Sequence, residues 1–142
     1  MDFDFLQQGA MLAPMAGVTD MPFRVICHEM GCPMAVSEMV SAKGYLLSPK
    51  GNRAAQELLS VDESEKGAVA LQLFGHEPDV MARAAEELTA DGRYALLDIN
   101  MGCPVPKIVG NGEGSALMKE PVRAAELISA VAKASHVPVT VK

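Results

Sequence analysis

The sequence contains no tryptophan and few other aromatic residues, with two tyrosines and four phenylalanines among 142 residues. Because 49% of the residues are nevertheless apolar, a core must be built from Val, Leu, Ile, Ala and Met. The ten methionines suit such a core, since flexible thioether side chains fill irregular gaps. The length fits a single domain.

A basic excess, a long hydrophobic run and a secretory signal are also missing. The formal net charge of −6 argues against a dedicated nucleic-acid module, whose footprint is basic. No apolar run approaches the roughly 20 residues of a membrane span, and the first residues do not have the pattern of a signal peptide. Three cysteines cannot all pair within the chain, which favours a reducing compartment. We therefore predict a cytoplasmic, globular protein without a membrane partner.

Five short apolar runs are typical of buried parallel strands, which have near-continuous apolar sequences. The predicted strands cover residues 10–16, 34–40, 68–74, 95–101 and 137–142. Four predicted helices connect them, from Thr19 or Asp20 to Gly31, over 48–59, from Pro78 to Gly92, and from Pro121 onward. Strands and helices in alternation predict an α/β fold with a parallel sheet.

Polar side chains stand near the C-terminal ends of four of these runs. They are Glu38, Gln72, Asn100 and Lys142. In a (β/α)₈ barrel the active site is built from the C-terminal ends of several strands. Gln72 or Glu38 could simply cap a neighbouring helix, but four polar residues at corresponding positions favour a shared site.

The number of elements is too small for a complete barrel. A barrel takes about 250 residues and eight strands, whereas this chain provides five predicted strands and four helices. We predict that residues 1–142 form the N-terminal part of a TIM-type (β/α)₈ barrel, with the remaining strands absent from the chain. An open α/β sheet is the alternative.

Cys103 lies just after the fourth run, between Gly102 and Pro104. A small apolar residue packed under a loop is the simplest interpretation of a single cysteine. With Asn100 three residues earlier, a thiol that donates a proton or acts as a nucleophile becomes the better hypothesis.

Two other motifs are weaker. Cys27, His28 and Cys32 resemble metal ligands, but no second pair follows and structural zinc needs four ligands, so we predict no metal site. The glycine-rich stretch 110–114 lacks the third glycine of a dinucleotide-binding loop. It is predicted to form a flexible lid over the strand ends.

Five segments together resemble the tRNA-dihydrouridine synthases, most closely the bacterial B type. They are APMAGVTDMPFR (13–24), LQLFG (71–75), DINMGCPVPKIV (98–109), GSALM (114–118) and PVTVK (138–142). The resemblance runs in order along nearly the whole chain, and DINMGCP is its most specific part. It implies an FMN-binding barrel followed by a helical tRNA-binding domain, the latter absent from this chain.

The resemblance also implies a reaction and roles for individual residues. FMN reduced by NADPH passes hydride to C6 of a tRNA uridine, while Cys103 protonates C5. Asn100 contacts the uracil, and Lys107 is a further candidate for substrate binding. The implied cofactor-binding residues are Pro14, Met15, Ala16, Gln72 and Lys142.

Two expectations concern the chain by itself. Since a barrel's phosphate site usually comes from the loops after strands 7 and 8, we expect weak FMN binding at most and no activity. We also expect a homo-oligomer, because an open sheet leaves unpaired edges and an uncovered inner face, which we predict to include Leu12, Val69, Leu71 and Leu97.

Two alternatives remain open at this point. One is a flavin enzyme of the dihydroorotate or dihydropyrimidine dehydrogenase type, which shares the barrel but not DINMGCP followed by PVPK. The other is a non-catalytic half-barrel that serves in assembly.

Overall fold

A four-stranded parallel sheet forms the centre of the computed structural model, which describes residues 9–49 and 52–142. The strands lie in sequence order across the sheet: β1 (Met34–Ser41), β2 (Ala68–Phe74), β3 (Leu96–Ile99) and β4 (Val139–Val141). Each pairs with the next in parallel, and helical segments connect them. The predicted α/β class is confirmed, and the arrangement is consistent with part of a TIM-type barrel.

Residues 10–16 do not form the predicted strand. Leu12 makes a single bridge with Ala35, in which the Leu12 amide donates to Met34 O at 3.0 Å and its carbonyl accepts from Val36 N at 3.0 Å. Two residues further on, Pro14 has no N–H to extend the pairing. The chain then turns, with the amides of Val18 and Thr19 both donating to Met15 O. The described sheet therefore has four strands rather than five.

Three of the four predicted helices are confirmed. They are α1 (Met21–Glu29), α4 (Pro78–Thr89) and α6 (Pro121–Ala134), each with a proline in its first turn. Proline suits this position because its missing N–H has no partner within the helix there. Asp20 caps α1 by accepting from Phe23 N at 3.1 Å. Among the residues described, no helix has the length and apolar character needed to cross a membrane.

The helix predicted over residues 48–59 is wrong in its extent, because only one short helix lies within this range and another ends just before it. Helix α2 (Ala42–Leu47) follows β1 directly, with Ser41 as its cap, and α3 (Arg53–Leu58) is capped by Asn52. Ser48 between them is extended, since the ring of a following proline disfavours helical geometry. Residues 50 and 51 of the predicted helix lie outside the described residues.

The segment after β3 contains two helical segments, and the stretch 110–114, predicted to form a lid, is the turn that leads from one to the other. Helix α5 (Pro106–Val109) is followed by a 3₁₀ helix over Gly114–Lys119. Gly114 is buried, and its φ is +59°. A Cβ at this position would lie 2.6 Å from Cys103 O, so only glycine allows the two backbones to approach so closely.

The main core lies between the sheet and the helices. Val69, Leu71 and Leu97 belong to it, together with Met81 of α4 and Leu127 of α6. Val69, Leu71 and Leu97 therefore face the helices, and the prediction that they line the inner face of the sheet is wrong. Because side chains alternate between the faces of a strand, the neighbouring positions line the inner face instead.

A smaller cluster on the other face of the sheet consists of Met34, Ala70 and Leu96, all less than 6% exposed. Leu12, also assigned to the inner face, is only partly buried beside β1. The polar residues Gln72 and Asp98 follow Ala70 and Leu96 at the alternating positions of this same face. The sheet therefore places a polar site at its C-terminal edge, directly beyond a small apolar cluster.

Candidate active site at the strand ends

A cavity of about 280 Å³ opens at the C-terminal ends of the strands. It is lined by Pro14, Ala16, Met39, Gln72, Asn100, Gly102, Cys103, Pro104, Val105 and Lys142. Parallel pairing brings these residues together, because the register aligns Leu73 of β2 with Ile99 of β3, and Ile99 with Val141 of β4. Of the four polar residues predicted to share a site, Gln72, Asn100 and Lys142 line this cavity and Glu38 does not.

Buried polar side chains form a connected hydrogen-bond network beside the cavity. The Gln72 amide donates from Nε2 to Asp98 Oδ2 at 2.6 Å, and Asn100 Nδ2 donates to Gln72 Oε1 at 2.9 Å. Thr140 Oγ1 donates to the second carboxylate oxygen, Asp98 Oδ1, at 2.7 Å. Ser37 Oγ accepts from the backbone N–H of Gln72 at 3.1 Å. Such networks hold their members in one geometry when every polar atom has a partner.

Hydrogen bonds of both the backbone N–H and the backbone carbonyl hold Cys103 in place. Its amide donates to Asn100 Oδ1 at 3.0 Å, and its carbonyl accepts from Ser115 N at 3.0 Å. The Gly102 amide also donates to Asn100 Oδ1, at 3.3 Å. The half-buried thiol is thereby fixed at the cavity by the same amide that belongs to the polar network. This local turn explains why the two residues stand three positions apart.

Lys142 is the one basic residue among those that line the cavity. Its amide donates to Ile99 O at 3.0 Å, and its carbonyl accepts from Met101 N at 2.8 Å. These two bonds continue the pairing of β3 and β4 beyond the assigned strands and bring Lys142 beside the Cys103 loop.

Two of the predicted site residues do not line the cavity. Met15 lies in the turn between Pro14 and Ala16 with its side chain 41% exposed, and Lys107 is exposed on α5. Their roles stay predictions, as do the roles assigned to the cavity-lining residues.

Sequence reasoning missed three residues of the site, namely Asp98, Thr140 and Met39. Asp98 stands inside DINMGCP, yet its bond to Thr140 depends on strand register, which no local pattern specifies. Glu38, predicted at a strand end but given no role, accepts a hydrogen bond from the amide of Gly17. It thus ties the turn after Pro14 to β1.

The motif around His28 has a structural role at some distance from this cavity. His28 Nδ1 contacts Cys32 O at 2.8 Å, and Cys32 Sγ contacts Met34 O at 3.0 Å. Arg24 forms a buried ion pair with Glu65 at 2.8 Å. Within residues 9–49 and 52–142, no group of three or more His, Cys, Asp or Glu side chains is arranged to hold a metal ion.

A parallel (β/α) segment with a polar cavity at its strand ends has the architecture of a barrel enzyme. Comparison with protein families identifies the family. The model of the family described as Dihydrouridine synthase (Dus) matches residues 11–142. The chain belongs to the dihydrouridine synthase family.

Individual relatives agree with this assignment. The chain is 44% identical to the tRNA-dihydrouridine synthase B of Pectobacterium carotovorum over 130 residues, which are 92% of this chain and 39% of that protein. It is 43% identical to the protein of the same name from Proteus vulgaris over 137 residues, or 96% of this chain and 41% of that protein. The chain thus spans about two fifths of the length of these curated relatives.

Proposed function

We propose that this chain forms the N-terminal part of the FMN-binding barrel of a tRNA-dihydrouridine synthase, which uses NADPH to reduce the C5–C6 double bond of a tRNA uridine. One observation carries the proposal. The Asn100 side chain holds the Cys103 amide at 3.0 Å, at a cavity that Gln72 and Lys142 also line. A thiol, an amide pair and a cation at one cavity are the groups that this reduction requires.

The donor set of the cavity is suited to a flavin ring. Gln72 and Asn100 carry NH₂ groups and Lys142 an ammonium group, and the edge of an isoalloxazine presents carbonyl oxygens and ring nitrogens that accept hydrogen bonds. Pro14 and Ala16 supply small side chains on another side, and Met15 lies in the turn between them. When bound, FMN supplies the hydride that is transferred to C6. The positive charge of Lys142 favours the reduced, anionic cofactor.

Cys103 has the role of general acid in this proposal. As hydride reaches C6, the electron pair of the double bond moves to C5, which takes the proton of the thiol and leaves a thiolate. General acids of this kind contribute about 10²–10⁴-fold to a rate. In this proposal Asn100 orients the uracil, and the exposed Lys107 contacts an RNA phosphate outside the cavity, where contacts position a nucleic acid without reading its bases.

The proposal has a direct test in a protein that carries this chain within a length matching that of its relatives. Purified with FMN and supplied with NADPH, it is expected to form dihydrouridine in unmodified tRNA transcripts and to leave free uracil, dihydroorotate and orotate unchanged. Turnover of the free pyrimidines without turnover of tRNA would contradict the proposal. The 142-residue chain alone is expected to be inactive in the same assay.

A further inference from the structure

Asp98 is a buried carboxylate whose two hydrogen-bond donors are both neutral side chains. It is 6% exposed on β3, and its two oxygens accept from Gln72 Nε2 at 2.6 Å and from Thr140 Oγ1 at 2.7 Å. Among the residues described, no Lys, Arg or His forms an ion pair with it. Because burying a carboxylate without a cation is costly, its presence calls for a reason other than stability.

Hydrogen-bond chemistry gives that reason, since an ionised carboxylate can only accept. Gln72 must turn its NH₂ group toward Asp98, so its carbonyl oxygen faces Asn100. Asn100 must in turn direct its own NH₂ group to Gln72 Oε1, at 2.9 Å. Its remaining oxygen then faces the amides of Gly102 and Cys103, at 3.3 and 3.0 Å. The acceptor-only carboxylate at one end, and the donor-only N–H groups of Gly102 and Cys103 at the other, thus favour the same orientation of two amides that could otherwise rotate by 180°.

We propose that Asp98 is a positioning residue that acts through Gln72 and Asn100 to fix the Cys103 turn. Each of the two NH₂ groups has a second hydrogen beyond those used within the network, although Asn100 Nδ2 also contacts the weak acceptor Met39 Sδ at 3.6 Å. The cavity therefore offers N–H donors next to the thiol, and the group that binds there is a hydrogen-bond acceptor, either a carbonyl oxygen or an unprotonated ring nitrogen. Only the identification of that group with flavin or uracil rests on the proposed function.

The first test is amide hydrogen exchange at Gly102 and Cys103 in the 142-residue chain, measured by NMR. Asp98→Ala removes the acceptor and frees the Gln72 amide to rotate, so both amides should exchange about tenfold faster, as the loss of roughly one hydrogen bond predicts. Thr140→Val is the matched control. It removes the other bond to Asp98 but leaves the Gln72 contact, so the two amides should exchange within about twofold of the unmodified chain.

A second pair of variants keeps the test valid if Asp98→Ala does not fold. Asp98→Asn retains an oxygen for Gln72 and can direct its NH₂ group to the hydroxyl of Thr140, which also accepts. Alone, it should therefore leave the exchange unchanged. Combined with Thr140→Val, its amide loses the hydroxyl that favours this orientation, so Gln72 is held less firmly and exchange should rise although neither single change has an effect.

An unchanged exchange rate in the double variant would overturn the proposal, because the hydroxyl that orients the amide at position 98 is then missing without effect. Unchanged exchange in Asp98→Ala, or equal acceleration in Thr140→Val, would also overturn it. The amides of Ala84 and Ala85 in α4 report global opening and should stay constant. The exchange measurement uses neither flavin nor tRNA, so its outcome is independent of whether dihydrouridine is formed.

Discussion

Tyr94 is the residue whose proton affinity the fold changes most clearly. Its hydroxyl donates to Leu59 O at 2.7 Å, and the side chain is buried before β3, at the end of the sheet opposite the cavity. Burial raises the pKa of Tyr94 from 10.0 to about 12, an effect that the nearby Arg93 guanidinium partly offsets. The neutral phenol is therefore the form that stabilises the folded chain.

The direction of the resulting pH dependence follows from the raised pKa. The stabilisation of the folded chain by the raised pKa of Tyr94 is fully present below pH 10.0, and it is lost as the pH rises from there toward 12. The loss corresponds to about 2–3 kcal/mol in the free energy of unfolding. We expect Tyr94→Phe to abolish this part of the alkaline decline, while costing about 1–3 kcal/mol at neutral pH, because Leu59 O loses its short bond from the phenol and keeps only the 3.5 Å bond from Arg93.

Denaturant unfolding at a series of pH values measures this effect. Tyr45→Phe is the matched control, since it removes the only other tyrosine and keeps the Leu59 bond. An equal alkaline decline in Tyr94→Phe and in the unmodified chain would refute the assignment to Tyr94.

The residues of the site were predictable to the extent that their signal is local. Gln72, Asn100, Cys103 and Lys142 stood out because each is polar or reactive immediately after or at the end of an apolar run. Asp98 was not assigned a role, because the role of a carboxylate within such a run depends on its hydrogen-bond partners on neighbouring strands. Those partners depend on register, which a single sequence does not specify.

At the scale of elements, the loop that carries Cys103 is held by its contact with the 3₁₀ helix. Gly114→Ala would place a Cβ 2.6 Å from Cys103 O at a φ of +59°, and the Ser115 N–Cys103 O bond of 3.0 Å would have to break or lengthen. We expect a loss of about 2–4 kcal/mol in the free energy of unfolding. Alkylation of Cys103 should also become faster.

Gly112→Ala separates the clash from the backbone conformation. Gly112 also has a positive φ, +78°, but no atom lies within 4 Å of a Cβ built there. This variant should lose only the free energy of unfolding that alanine costs at a positive φ, about 1–2 kcal/mol. The alkylation rate of Cys103 should stay unchanged. Equal losses in both variants, measured by denaturant unfolding, would show that the close approach to Cys103 is unimportant.

The elements themselves were predictable where proline and glycine mark their ends. Helices α1, α4 and α6 each begin with a proline in the first turn, a signal that does not depend on the rest of the fold. The run at 10–16 has strand composition, but Pro14 and the turn after it limit its pairing to one bridge. Helix α2 was missed because it follows β1 without an intervening loop, and Gly44 lies within it.

At the scale of the whole molecule, the expected homo-oligomer stays a prediction. The structure weakens one of the two arguments for it, the uncovered inner face, and keeps the other, the unpaired edge. The inner face offers less apolar surface than expected, because Met34, Ala70 and Leu96 are buried. The edge of the sheet is the stronger argument, since within the described ranges β4 pairs only with β3. An unpaired edge strand can template association with another chain.

The central claim is that the strand-end cavity is the site of uridine reduction, with Cys103 as its acid. The most direct measurement is single-turnover oxidation of the pre-reduced flavoprotein by tRNA without oxygen, using a protein of full length that contains this chain. Cys103→Ala should retain flavin binding and reduction by NADPH, yet lose about 10²–10⁴-fold in the rate of oxidation by tRNA. Cys27→Ala, which replaces a half-buried cysteine away from the cavity, should match the unmodified protein. Oxidation by tRNA at an unchanged rate in Cys103→Ala would contradict the account.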